Sequence, residues 1–333
     1  MSGGFVAYNI RQNKAIDRSL FVDMLVRLGA RIPIHEYEYI SMGGAFMEDF
    51  KLMHSQFGIE RMISIESDER VLKRQKFNRP LSCIKLVRDT AGQFIDRYSF
   101  NRPTIMWLDY ASPKNVGTQL SEIEGLVGKL DKYDIIKVTL NASLDSLRAK
   151  AKSAMPSELE PMLRARVGNS FLPETIDPSL LEDEYEYPKL MLKGFERAVK
   201  RACEGKSNTL FQPLSAYIYA DGAHRMLTAS GILLPEAEIE NFVQNTAIAN
   251  WSLAMLEWGD PYSEPREIAI PDLSIRERLY FDAKLPRMGV NLKAKAQIVR
   301  AMGHLFPKNY EDRGIQQYAE YYRYLPYLTK STL

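Results

Sequence analysis

The feature that most restricts the fold is a regular alternation of short apolar runs and amphipathic stretches between residues 36 and 142. Strand-like runs fall at residues 37–42, 62–65, 82–87, 104–108 and 133–140, separated by helical patterns at 48–57, 71–77, 89–98 and 121–130. The runs are short and mostly apolar, as strands covered on both faces should be, and the connections are only a few residues long. That pattern predicts an α/β fold with a mainly parallel sheet. An amphipathic helix precedes it, with Leu20, Phe21, Met24, Leu25 and Leu28 on one face.

Beyond residue 142 the alternation stops. Residues 144–205, rich in Lys, Arg, Glu and Pro and carrying an acidic run at Glu182, Asp183, Glu184 and Glu186, read as a helical insertion. Residues 214–220 and 226–234, joined through Asp221-Gly222, read as an antiparallel hairpin. From Pro235 onward the pattern is mostly helical, ending in a stretch crowded with tyrosine. The expected organisation is one α/β domain over residues 1–235, with the insertion inside it, and a helical C-terminal extension over 236–333.

Composition removes several classes. With 45% hydrophobic and 26% charged residues the chain is not disordered. No run approaches the ~20 apolar residues of a membrane span, and the N-terminus lacks the basic start and apolar run of a secretory signal. Cys83 and Cys203 are far apart, and His35, His54, His224 and His304 show no ligand spacing, so no metal site or disulfide framework is expected. A cytoplasmic location fits this cysteine usage. Net charge of +2 gives no general case for nucleic acid. The tail from Arg276 to Lys330, however, holds 11 Lys or Arg against 5 Asp or Glu, which leaves a protein or nucleic-acid partner surface there open. Apolar positions at Leu279, Leu285, Ile298, Met302, Leu305 and Phe306 accompany Lys293, Lys295 and Arg300 in that tail. Its tyrosines, Tyr318 and Tyr321 among them, suit packing of a helix against the sheet better than stacking on bases.

In an open parallel sheet, ligands bind beyond the carboxyl ends of the strands, at the point where strand order reverses. Four strand ends here carry suitable residues. Met42, Gly43, Gly44 and Ala45 follow the first, where missing side chains let a ligand approach the backbone. Glu66 and Ser67 follow the second, Asp89 and Thr90 the third, Asp109 and Tyr110 the fourth. Gly43, Glu66, Asp89 and Asp109 succeed one another at intervals of 23, 23 and 20 residues, about one helix plus one strand, so all fall at one sheet edge.

This arrangement resembles the class I, Rossmann-like family of S-adenosylmethionine-dependent methyltransferases. The resemblance covers about residues 36–142 and 208–235 and implies a mainly parallel seven-stranded sheet with an antiparallel terminal hairpin. It implies S-adenosylmethionine as cofactor, with Met42 to Ala45 as the glycine loop, Glu66 and Ser67 at the ribose, and Asp89 and Thr90 at the adenine. It places Asp109 and Tyr110 in the catalytic slot, Asp109 orienting or deprotonating the substrate and Tyr110 lining the pocket. The leading segment Asn9 to Lys14 corresponds to a part that often closes over the cofactor in that family. Two departures are visible: bulky Met42 and Phe46 in the glycine loop, and Asp109-Tyr110-Ala111-Ser112-Pro113 in place of an Asp/Asn-Pro-Pro-aromatic motif.

Each feature also has a plainer reading. Gly43-Gly44 suits a tight turn, and Glu66 and Asp89-Thr90 suit capped helix starts. Two other functions therefore stay open beside a methyltransferase of unknown substrate. One is a catalytically degenerate methyltransferase-like module that binds a partner or senses a ligand. The other is an NAD-dependent oxidoreductase, disfavoured because Gly43-Gly44-Ala45-Phe46-Met47 is not G-x-G-x-x-G.

Overall fold

Each apolar run of the N-terminal half becomes a strand, and each amphipathic stretch a helix. The computed structural model describes residues 11–148, 155–286 and 311–326. In chain order it holds α1 (Gln12–Leu28), β1 (Glu38–Ser41), α2 (Glu48–Phe57), β2 (Arg61–Glu66), α3 (Glu69–Asn78), β3 (Ile84–Arg88) and α4 (Ala91–Arg97). There follow β4 (Thr104–Asp109), α5 (Val116–Lys129), β5 (Ile135–Asn141), α6 (Leu144–Arg148), α7 (Pro156–Val167) and α8 (Tyr187–Glu204). The chain continues with β6 (Thr209–Asp221), β7 (His224–Pro235), α9 (Ile239–Asn245), β8 (Arg266–Ile268), α10 (Ile275–Asp282) and α11 (Glu311–Tyr321).

The strands form one sheet in the order β3-β2-β1-β4-β5-β7-β6-β8. β1 pairs in parallel with both β2 and β4, so strand order reverses between β1 and β4. β7 runs against both β5 and β6 and closes the expected hairpin, Asp221 facing His224 across the turn. The sheet has eight strands where seven were expected. The extra one, β8, pairs in parallel with Tyr217–Tyr219 of β6 and lies in the stretch read as helical. Three residues, Arg-Glu-Ile, carry no apolar run, so only their place beside β6 makes them a strand.

Side-chain alternation distributes the core to the two faces. Ile105 and Trp107 of β4 join one apolar cluster with Leu20, Phe21 and Met24 of α1 and Phe50 and Met53 of α2. Met106 and Leu108, their neighbours, join the other with Leu120 and Ile123 of α5 and Leu190, Met191 and Phe195 of α8. The insertion thus supplies, in α8, a helix that covers the sheet. Tyr318 and Tyr321 of α11 are buried on the α1 face, and the Tyr324 hydroxyl donates to Asp23 of α1 at 2.7 Å. The described tyrosines of the tail therefore include core residues. Lys293, Lys295, Arg300, Ile298, Met302, Leu305, Phe306 and His304 lie outside the described residues, as do Asn9 and Ile10. Among the described residues, no helix is long and apolar enough to cross a membrane.

Candidate active site

The reversal of strand order brings the carboxyl ends of β1, β2 and β4 side by side, and the connection from β1 to α2 begins there. Two carbonyls of this loop are fixed by α3: Gln75 Nε2 donates to Gly44 O at 2.8 Å, and Asn78 Nδ2 to Ala45 O at 2.9 Å. Ser64 Oγ donates in turn to Gln75 Oε1 at 3.3 Å. Gly44 has φ +54°, a left-handed conformation that suits glycine. Gly43 is needed for a different reason. A Cβ there would come within 2.7 Å of the Phe50 ring and 3.0 Å of Ser64 Oγ. The space that its missing side chain leaves is taken by α2 and β2. Ala45 is fully buried, and Met42 is half-buried against the α5 face of the core.

Glu66 ends β2 half-buried, and its Oε1 accepts the Asp68 amide at 2.7 Å. No Lys or Arg lies within 4 Å of its carboxylate among the described residues. Burial is the largest influence on it and raises its pKa, with the Asp68 charge adding to the rise and the amides of Asp68 and Ser67 opposing it. A half-dehydrated carboxylate without a counter-ion is a strong acceptor for hydroxyl donors. Ser67 beside it is exposed, and Asp68 rather than Glu66 caps α3, accepting from the amides of Arg70 and Val71.

Asp89 is buried at the end of β3, its amide donating to Glu66 O at 3.2 Å. Its carboxylate is already paired with the Arg97 guanidinium of α4 through Oδ2. Thr90 is spent on the helix: its Oγ1 accepts the Gln93 amide, closing a capping box at the start of α4. The capping reading explains Thr90 without a ligand.

At the end of β4 the carboxylate of Asp109 meets Lys14 of α1, with Nζ 2.9 Å from Oδ2. Three residues on, Asp17 accepts from Lys137 Nζ of β5 at 2.7 Å and from the Thr228 hydroxyl at 2.8 Å. Lys137 also lies 4.8 Å from the Trp107 ring centre and 5.1 Å from that of Phe21. Burial lowers the Lys137 pKa, against the pull of Asp17 and Asp109. Lys14 belongs to the leading segment Asn9 to Lys14, and neither Asp17 nor Lys137 falls at one of the four strand ends. Their signals were present: a lone lysine inside the apolar run Ile-Ile-Lys-Val-Thr-Leu, and opposite charges three apart on an apolar helix.

Tyr110 requires a correction. It is buried among the residues of α5 and α8, and its hydroxyl donates to Glu122 of α5 at 2.6 Å. Desolvation, reinforced by Glu122, holds its pKa well above the usual phenol value. It follows Asp109 in sequence, and alternation along the strand turns its ring into the helix-covered core.

Residues 6–333 match the family described as "Putative O-methyltransferase". The chain belongs to that family. It is therefore an S-adenosylmethionine-dependent methyltransferase of class I, a transferase of one-carbon groups, and the oxidoreductase alternative falls away. No curated protein matches this methyltransferase in sequence. Among solved structures it is similar to the plantazolicin methyltransferase BamL, 11% identical, covering 68% of this chain and 87% of that one with a TM-score of 0.42. It is also similar to the N-methyltransferase NodS from Bradyrhizobium japonicum WM9, 12% identical over 66% and 97% of the two chains, TM-score 0.38. A methyltransferase from Pyrococcus furiosus is 13% identical over 66% and 82%, TM-score 0.37. At these scores the three add no weight to the assignment.

Proposed function

We propose that this methyltransferase transfers a methyl group to an oxygen atom of its acceptor, with Glu66 holding the cofactor and Asp109 handling the acceptor. The observation that carries the reading is the position of these two carboxylates. One, at the end of β2, has no ion-pair partner among the described residues, and the other is ion-paired at the end of β4, on either side of the point where strand order reverses. Glu66 accepts the ribose hydroxyls, for which it has the free lone pairs. The Gly43–Ala45 backbone, fixed by Gln75 and Asn78, forms the floor beside them. Asp89 has only its second carboxylate oxygen to offer the adenine amine, because Arg97 takes the first. When bound, S-adenosylmethionine supplies an electrophilic methyl group on a sulfonium centre. Asp109 accepts the proton of an acceptor hydroxyl, and Lys14 fixes the orientation of Asp109. Most of the rate then comes from alignment and exclusion of water.

Calorimetry with S-adenosylmethionine, S-adenosylhomocysteine and NAD tests the cofactor half: the first two should bind and NAD should not. For the acceptor half, wild type and Asp109→Asn would be incubated with methyl-labelled cofactor and a panel of phenols, carboxylic acids and alcohols. Label should move only with the wild type, while both bind S-adenosylhomocysteine within a few-fold of each other. A second reading, a module that binds the cofactor without transfer, is favoured by the occupation of Asp109 by Lys14. It wins if cofactor binds and label moves to no oxygen acceptor. The cytoplasmic location belongs to this proposal as well, on the absence of any cysteine pairing pattern in the sequence.

A further inference from the structure

Between Arg70 and Arg88 the chain carries seven Lys or Arg and no Asp or Glu, in a protein whose total charge is only +2. They lie on α3 and β3, with Arg79 just past the end of α3, and β3 is an edge strand of the sheet. Leu72 and Gln75 turn inward from α3, leaving Arg70, Lys73, Lys76 and Phe77 exposed. Glu69 at the helix start pairs with Lys73 at 3.1 Å and with Arg88 at 3.3 Å. Arg70, Lys76, Arg79 and Lys85 have no acidic partner within 4 Å among the described residues.

In the middle of these charges sits Phe77, 92% exposed. Helical spacing puts it on the same face as Arg70, Lys73 and Arg74, which are seven, four and three residues before it. Lys73, Arg74, Phe77 and Asn78 line a shallow groove, and the Arg74 guanidinium lies 5.2 Å from the Phe46 ring centre. Charge on an edge strand is commonly a guard against pairing with another sheet, and that accounts for Lys85. It does not account for an aromatic ring almost wholly in solvent and framed by cations. A single exposed apolar side chain is ordinary; what singles this one out is the set of cations around it, Arg70, Lys73, Lys76 and Arg79.

We propose that the exposed face of α3 binds single-stranded nucleic acid, a base stacking on Phe77 and phosphates resting on Arg70, Lys73, Lys76 and Arg79. A flat aromatic framed by cations fits the two parts of a nucleotide at once. A duplex does not fit, because its base faces are already stacked. An acidic protein segment would use the charges and leave the ring unused. Phe77 and the four cations are not among the residues assigned to the cofactor, although Asn78 in the same groove also holds Ala45 O, and the proposal stands whether or not the acceptor reading holds.

The test is fluorescence anisotropy of the full-length protein with a fluorescein-labelled uridine decamer, titrated from about 50 to 200 mM salt. With four phosphate contacts, log K should fall against log salt with a slope of about −3. Arg70→Gln/Lys76→Gln should roughly halve that slope. Phe77→Ala should weaken binding at least about fivefold with the slope unchanged, while Phe77→Trp binds like wild type or better. Melting temperatures of all variants exclude unfolding as the cause. The proposal is overturned if wild type does not bind at the lowest salt, or if the variants bind as wild type does. It is equally overturned if Phe77→Trp loses as much as Phe77→Ala. A poly-glutamate peptide that binds as tightly, indifferent to Phe77→Ala, would assign the face to an acidic protein instead.

Discussion

Lys14 Nζ, on the first helix, lies 2.9 Å from Asp109 Oδ2 at the carboxyl end of β4. One turn along, the charges are reversed, and Asp17 pairs with Lys137 of β5 at 2.7 Å. The two crossed pairs fix the register of α1 on the sheet, because sliding or rotating the helix would set like charges together. The deeper pair is almost fully enclosed, its side chains 0% and 2% exposed. Breaking such a pair strands one buried charge, at about 3–5 kcal/mol, whereas replacing both partners can be nearly neutral. Lys137→Met should therefore lower stability by about that amount in urea unfolding. Asp17→Asn/Lys137→Met should recover most of the loss. Additive losses in the double variant would show that packing, not charge, holds α1 in place.

Glu66 has no counter-ion among the described residues, so its affinity for hydroxyl donors rests on its own charge. Glu66→Gln keeps its shape and removes that charge, and should weaken S-adenosylhomocysteine binding about 10–100-fold, the value of one or two charge-assisted hydrogen bonds. Burial raises the Glu66 pKa in the free protein, so protonation sets in at higher pH than for an ordinary glutamate. Binding by wild type should accordingly weaken on acidification sooner than ordinary carboxylate titration predicts, and the Gln variant should lose that dependence. Calorimetry across the acidic range reads both. An unchanged affinity in a folded Gln variant removes Glu66 from the site.

The fold was legible where the sequence is periodic. Five parallel strands, their helices and the hairpin follow from apolar runs and turn residues, and the acidic strand ends follow from the spacing. What was not legible depends on contacts between distant segments. The β8 strand is set by β6, Lys14 finds Asp109 across 95 residues, and Lys137 meets Asp17 across 120. Tyr110 went astray through adjacency: neighbours on a strand point to opposite faces, so one residue beyond Asp109 is already in the core. Thr90 shows the reverse, since its capping role was written in the Gln93 three residues later.

Gly43 separates packing from ligand access. Gly43→Ala places a Cβ 2.7 Å from the Phe50 ring, and overpacking of this kind costs about 1–3 kcal/mol. Phe50→Leu should relieve that contact. Gly43→Ala should therefore depress the melting temperature, and Gly43→Ala/Phe50→Leu should be no less stable than Phe50→Leu alone. Cofactor affinity should follow the same order, because the loop's shape depends on α2. If the double variant regains stability and still fails to bind S-adenosylhomocysteine, the missing side chain serves the ligand directly.

Asp134 offers a pH test free of the active site. It is 2% exposed just before β5, Oδ1 accepting the Thr104 amide at 2.6 Å and Oδ2 the Asp131 amide at 2.7 Å. Burial is the dominant influence and pushes its pKa up to about 6 from 3.8, against the opposing amides and Lys206. A carboxyl with a raised folded-state pKa favours folding in its protonated form. Its contribution is whole below about pH 4 and is lost as the pH rises through about 6. At 1.36 kcal/mol for each pH unit between the two values, the loss is about 2–3 kcal/mol. Asp134→Asn cannot ionise, so it avoids that loss. It also gives up one acceptor, leaving the Thr104 or Asp131 amide unpaired at about 1–2 kcal/mol at every pH. Urea unfolding of both proteins at about pH 4 and pH 7 should show wild type clearly the more stable in acid, with the gap narrowing or reversing at neutrality. A gap that stays constant between the two pH values would mean that the amides hold Asp134 ionised at its ordinary strength, and burial is not what governs it.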